Sequence, residues 1–226
     1  MSLEGAAVSL GATIVSVAFA ALVFNQWIAR RKPYQLAWSL GLGLYGAAAF
    51  LQFLAEAYGW SVATYKVYYL IAALLVAVLG IGSTFLLHRR AGVGFALYTV
   101  VVFIGFAIAV AGAAVNMSAL AATVPAAGTP IADPNVRAFS YLFTIPGAVA
   151  LVGIAAYSFW RTRLRFNLWI AIGALINAAG GSLARYNITW ALYIGELIGI
   201  AVMFWGFLAS QDLAKARAPV ARQIPS

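Results

Sequence analysis

The sequence predicts an all-α integral membrane bundle of seven transmembrane helices, with its N-terminus outside and its C-terminus in the cytoplasm. Three observations carry that expectation. Of 226 residues, 65% are hydrophobic and only 8% are charged, with mean hydropathy +0.96, whereas a soluble domain carries about a quarter charged residues. Apolar windows of about 20 residues, the length that crosses a bilayer, recur along the chain. The basic residues gather in alternate connections between them, as the positive-inside rule requires.

The first span runs from about Ala6 to Ile28, the second from Gln35 to Tyr58 and the third from Thr64 to Leu87. A fourth covers Gly92 to Ala114, and a long outer loop occupies 115–136. The fifth covers Arg137 to Trp160, the sixth Phe166 to Arg185 and the seventh Ile188 to Ser210. Residues 1–212 thus form one membrane domain, and the polar, turn-rich residues 213–226 read as a mobile cytoplasmic tail.

Arg30, Arg31 and Lys32 follow the first span, Arg89 and Arg90 the third, Arg161, Arg163 and Arg165 the fifth, and Lys215, Arg217 and Arg222 the seventh. Only Lys66, Arg137 and Arg185 fall on the other side. That asymmetry orients the bundle in a prokaryotic cytoplasmic membrane. It also accounts for the net charge of +9 without nucleic acid as a partner. Although Ala18–Ala20 forms an A-x-A triplet, no basic residue precedes the first span, so it reads as a retained helix rather than a signal peptide. Trp27, Trp38, Trp60, Trp160, Trp169 and Trp190 fall near predicted helix ends, where interfacial anchors belong.

Two stretches of the chain resemble each other, through either an internal repeat or the shared chemistry of membrane interfaces, where tryptophan and basic residues recur. WIARRKPYQLAW after the first span parallels WRTRLRFNLW after the fifth, pairing Trp27 with Trp160 and Trp38 with Trp169. Further on, Tyr69 pairs with Tyr193 and Gly82 with Gly206, without a gap between them. The halves would be 6–90 and 137–210, joined by a linker helix at 92–114. This layout of three, one and three helices resembles that of microbial rhodopsins and SWEET sugar transporters. The rhodopsin likeness implies a Schiff-base lysine in the seventh span, which holds no lysine, so retinal is not expected. Sugar transporters of the SWEET kind carry helix-bending prolines in both halves, whereas here only Pro146 lies inside a span. In texture, through GGSLAR followed by YIGELIG, the chain resembles a group of uncharacterised bacterial seven-helix membrane proteins.

The absence of cysteine removes thiol chemistry, and the single His88 cannot ligate a haem in pairs or build a histidine metal site. No cofactor or metal is predicted. Neither a P-loop, an H-E-x-x-H nor a G-x-S-x-G occurs, so the chain leans away from enzymes. Catalysis would need Glu196 or a tyrosine as its acid–base group.

What remains is a set of polar residues within the spans. Helices rise about 1.5 Å per residue, so a sixth–seventh hairpin turning near Tyr186 sets Asn177 level with Glu196, about 12 to 15 Å below the outer surface. Gly173, Asn177, Gly181 and Arg185 recur at four-residue steps on one face, and Gly195 and Gly199 offer a matching close surface. The second–third hairpin likewise brings Gln52 level with Tyr69 and Glu56 near Tyr65 and Lys66. Glu196 is too deep and too short to reach water along its own helix. It must be neutral and hydrogen-bonded, ionised and paired with Arg185 or Lys66, or set in a water-filled cavity.

The candidate ligand-binding or ion- and proton-coupling residues are therefore Glu196, Asn177, Arg185, Tyr193, Tyr69, Gln52 and Glu56, with Asn177 orienting Glu196. Pro146 and Gly147 form a candidate hinge. The expected function is binding or translocation of a small solute, proton or cation through an outward-opening cavity. The alternative is an accessory subunit or sensor whose buried polar groups only fix helix packing. Besides the bilayer, the expected partners are a small ligand or ion, and a membrane protein or a second copy of the chain.

Overall fold

The computed structural model describes residues 3–120, 130–184, 186 and 188–217, the side chains of Thr189 and of 212–217 excepted. Among the described residues there are eight helices: α1 (Leu3–Arg30), α2 (Pro33–Tyr58), α3 (Val62–Leu87), α4 (Arg89–Gly112), α5 (Met117–Leu120), α6 (Pro134–Thr162), α7 (Arg165–Ala184) and α8 (Thr189–Arg217). All but the single-turn α5 contain a stretch long and apolar enough to cross a membrane, seven in number. The chain is thus a multi-pass membrane protein by the length and composition of its helices. α8 carries helix through 213–217, into the segment whose composition reads as a tail.

Local chemistry sets the helix ends. Pro33 and Pro134 occupy first-turn positions of α2 and α6, where a missing N–H costs nothing. Ser61 and Thr64 form a reciprocal capping box that starts α3. Asp133, the acid of the long loop, caps α6 by accepting from Asn135 N at 2.8 Å. α2 stops at Gly59, whose φ of 89° is a conformation glycine adopts without strain.

Six helices close a ring. α1 packs on α2, α2 on α3, α3 on α6, α6 on α7, α7 on α8, and α8 returns to α1. α4 stays outside, against α3 and α6. Its Val100, Val101, Ile104 and Ile108 are 57% to 70% exposed, an apolar face suited to lipid rather than water. The ends of the long loop tuck in, since Leu120 and Ile131 are buried with Tyr65, Phe106 and Phe143, and Asn116 N donates to Pro130 O at 2.8 Å.

Glycines permit the closest helix approaches, the usual device where no hydrophobic drive acts between helices in lipid. A Cβ on Gly180 would lie 2.6 Å from Ala191 O and 3.0 Å from Gly195 Cα. One on Gly173 would lie 2.5 Å from Gly199 O. Gly181, expected on this face from its four-residue spacing, instead meets nothing within 4 Å; Gly180, one residue earlier, makes the contact. Gly147 presses on α3, with a Cβ position 2.5 Å from Val76 O, and α6 runs unbroken through Pro146.

Of the paired sequence positions, the two glycines each lie near the paired tryptophan. Gly82 of α3 lies against the indole of Trp38 of α2, and Gly206 of α8 lies against Trp169 of α7. The tryptophans expected as interfacial anchors differ in exposure. Trp160 and Trp190 are exposed, but the indole nitrogens of Trp38 and Trp60 are buried. Trp60 packs on the rings of Tyr65 and Tyr68, at 5.7 and 5.2 Å.

Candidate functional site

α2 carries Tyr45, Ala49, Gln52 and Glu56 at steps of four, three and four residues, which places all of them on one helix face. That face points into the ring, and Gln52 and Glu56 are only 2% and 3% exposed. α8 answers with Tyr193 and Glu196, three residues apart and so on neighbouring turns. The Tyr193 hydroxyl donates to Glu56 Oε1. With its amide nitrogen turned to the acid, Gln52 donates to the carboxyl of Glu196, 3.2 Å from each oxygen.

Below this pair, Tyr45 ties three helices together. Its hydroxyl lies 2.7 Å from Asn177 Oδ1 on α7 and 3.0 Å from the backbone oxygen of Glu196 on α8. One phenolic proton serves both acceptors. Asn177 therefore reaches Glu196 through Tyr45 and the main chain; it does not orient the carboxyl, which Gln52 does. This corrects the expected Asn177–Glu196 partnership. The reason is the α7–α8 contact at Gly199, whose surface faces the Asn177 amide, Nδ2 lying 2.6 Å from its Cβ position.

Beside these groups lies a cavity of about 220 Å³. Its polar lining is Glu196, Asn177, Tyr45 and Tyr68; aliphatic side chains such as Leu75, Leu151 and Ile200 make the rest. The lining residues fall in the middle of their helices, for example 45–49 of α2, 68–79 of α3 and 148–152 of α6. The cavity is thus at mid-depth. Glu196, half-buried, turns its remaining surface toward it.

No protein-family model, curated protein or solved structure matches the chain. The site therefore stands on its own geometry.

Of the expected site residues, Glu196, Gln52, Glu56, Tyr193 and Asn177 come together. Tyr69 does not join them. It packs between Tyr65 and Phe106, at ring distances of 6.1 and 5.7 Å, in the apolar contact of α3 with α4 and α6. Arg185 lies outside the described residues. Lys66 donates to Ala111 O at 2.8 Å, satisfying a carbonyl at the end of α4, so it is not the counter-charge of Glu196. Tyr45 and Tyr68 were missed by sequence reasoning. Tyr45 had a detectable signal, standing seven residues, two helical turns, before Gln52 on the same face. No group of three or more metal-ligating side chains gathers among the described residues.

The end of the bundle that carries the basic clusters holds a second hollow, of about 950 Å³. Asn25, Gln26, Gln35, Asn167 and Gln211 line it together with Arg30. The sequence pattern does not single out this end, because Asn25, Gln26 and Asn167 look like ordinary interfacial residues one by one. Gln35 Nε2 donates to Gln26 Oε1 at 3.2 Å. Its own Oε1, and Trp38 Nε1, are buried without a hydrogen-bond partner among the described residues.

Between the two hollows sits an apolar plug. Phe19, Val23, Trp38, Leu42, Leu79, Leu151, Met203 and Phe207 enclose a gap of only about 30 Å³. Leu79, Leu151 and Met203 also line the mid-depth cavity, and Trp38 and Phe207 also line the basic-end hollow. The three spaces thus form a series along the bundle axis. At the other end, the Tyr193–Glu56 bond stands one turn of α8 and α2 beyond the Glu196–Gln52 contact.

Proposed function

We propose that the protein binds or translocates a small solute, proton or cation, and that the mid-depth cavity at Glu196 is where it does so. The observation that carries this reading is an acid facing an intramembrane cavity with an amide donor on one side and no ion pair among the described residues. An ionisable group at such depth is costly in lipid and is ordinarily retained for a pathway or a ligand. The spaces in series, closed by an apolar plug on one side and by Tyr193–Glu56 on the other, support a route with two barriers. We place the basic end in the cytoplasm by the positive-inside rule, which leaves Glu56 and Tyr193 on the outer side of the cavity. The matched Gly82–Trp38 and Gly206–Trp169 contacts, and the exclusion of α4 from the ring, support two related three-helix halves joined by a linker helix.

The test is flux through the purified protein in liposomes carrying a trapped pH dye, under an imposed potential. Glu196→Gln should lower proton or proton-coupled flux at least about tenfold while the protein still elutes as a folded species; unchanged flux would sink the proposal. One observation favours the accessory or sensor reading: Tyr45 and Tyr193 fasten α2 to α7 and α8, as purely structural polar contacts would. That reading expects Glu196→Gln to leave function intact and a membrane partner to co-purify in mild detergent.

A further inference from the structure

We propose that the ligand of the mid-depth cavity is an amphipathic organic ammonium ion of about nine heavy atoms, its charged head at Glu196 and its apolar body among the aliphatic walls. This rests on the reading of that cavity as a ligand site, and names the class of ligand it takes.

Charge comes first. The cavity lining contains one carboxyl group and no lysine, arginine or histidine. An anion entering it would meet a carboxyl group with no compensating cation, the arrangement low-dielectric surroundings penalise most. A cation would meet a hydrogen-bonded acid already held in place by Gln52. The phenol rings of Tyr45 and Tyr68 border the same space and add the electron-rich faces that attract ammonium groups.

The walls then select among cations. A hard metal ion takes about six oxygen ligands, and here the Asn177 oxygen already accepts from Tyr45 at 2.7 Å, leaving chiefly Glu196. A polyhydroxylated solute would find alanine, leucine, valine, isoleucine and methionine where it needs hydrogen-bond partners. An apolar body suits those walls.

Size follows from the volume. An apolar cavity of about 150 Å³ accommodates benzene. By the same ratio, the 220 Å³ here corresponds to about nine heavy atoms. A phenyl ring bearing an ethylammonium chain fits that count.

The probe is 2-phenylethylammonium, measured by equilibrium binding to the full chain in lipid nanodiscs. Two matched competitors separate charge from shape: neutral 2-phenylethanol and anionic phenylacetate. Saturable binding is expected, with the alcohol at least about tenfold weaker and phenylacetate without effect. Glu196→Gln should weaken the ammonium at least about tenfold and leave the alcohol nearly unchanged. Ala174→Leu, which fills the wall while leaving Glu196 in place, should weaken both. Equal affinity for alcohol and ammonium, or ammonium binding indifferent to Glu196→Gln, would overturn the proposal, as would no saturable binding. Flux measured on the same preparation separates the two levels. Glu196-dependent proton flux without ammonium binding would remove this ligand class alone; loss of both would remove the cavity's role as well.

Discussion

Gly180 and Gly181 are neighbours in sequence and opposites in surroundings, so replacing each with alanine isolates the cost of close helix packing. At Gly180 the new methyl carbon would sit 2.6 Å from Ala191 O, 3.0 Å from Gly195 Cα and 3.4 Å from Ala191 C. Those atoms are backbone and cannot rotate away, so α7 and α8 must separate. Overpacking of this kind costs about 1 to 3 kcal/mol. Exchanging glycine for alanine in a helix returns about 1 kcal/mol in propensity, so Gly180→Ala should be destabilising by about 0 to 2 kcal/mol net. At Gly181 nothing lies within 4 Å, and only the propensity gain of about 1 kcal/mol remains. Because that gain cancels between the variants, their difference is the packing cost itself, about 1 to 3 kcal/mol. Unfolding in mixed micelles, followed by circular dichroism against denaturing detergent, measures it. Equal shifts for the two variants, or greater damage from Gly181→Ala, would refute the placement of the α7–α8 contact.

Tyr193→Phe removes the donor to the buried Glu56 and should cost about 1 to 3 kcal/mol. Adding Glu56→Gln should cost less than the sum of the single changes, since the two groups share one bond. Tyr45→Phe leaves Asn177 Oδ1 and Glu196 O without their shared donor, so a loss of about 1 to 3 kcal/mol is expected in the same unfolding assay. Lys66→Met removes a single cap on α4, so it should change stability by less than about 1 kcal/mol and leave Glu196-dependent flux unchanged. Since the chain has no cysteine, Ala174→Cys gives a unique thiol in the cavity wall. Its labelling by a charged reagent from the basic side should be slow and should accelerate several-fold when Phe207→Leu thins the plug; an unchanged rate would argue against the plug as the barrier.

The spans were legible because lipid leaves few choices: about 20 apolar residues, closed by caps or basic residues, can only be a crossing helix. Glu196, Gln52 and Glu56 were legible for the same reason, each being a polar side chain at a depth where polarity is costly. What escaped was side-chain partnership. Hairpin arithmetic sets depth but not azimuth, so Asn177 looked like the partner of Glu196 when its oxygen faces Tyr45. The same lack of azimuth selected Gly181 over Gly180 and drew Tyr69 toward the site. Tyr45 went unnoticed because a tyrosine in a membrane helix is unremarkable until its neighbours at four, seven and eleven residues are read as one face. The basic-end hollow was hidden more deeply, since it is assembled from residues of six helices that are each ordinary alone.

The site joins α2 to α8, and 137 residues separate Glu56 from Tyr193. At about 5 to 20 residues per second, a ribosome takes roughly 7 to 27 s to cover that distance. Through that interval Gln52 and Glu56 have been synthesised and their α8 partners have not. The insertion machinery, a neighbouring helix or intruding water must shelter them meanwhile. A chain cut short before α8 would keep that exposure permanently, giving a membrane protease a chemical mark by which to tell a molecule that lacks α8 from one that has it.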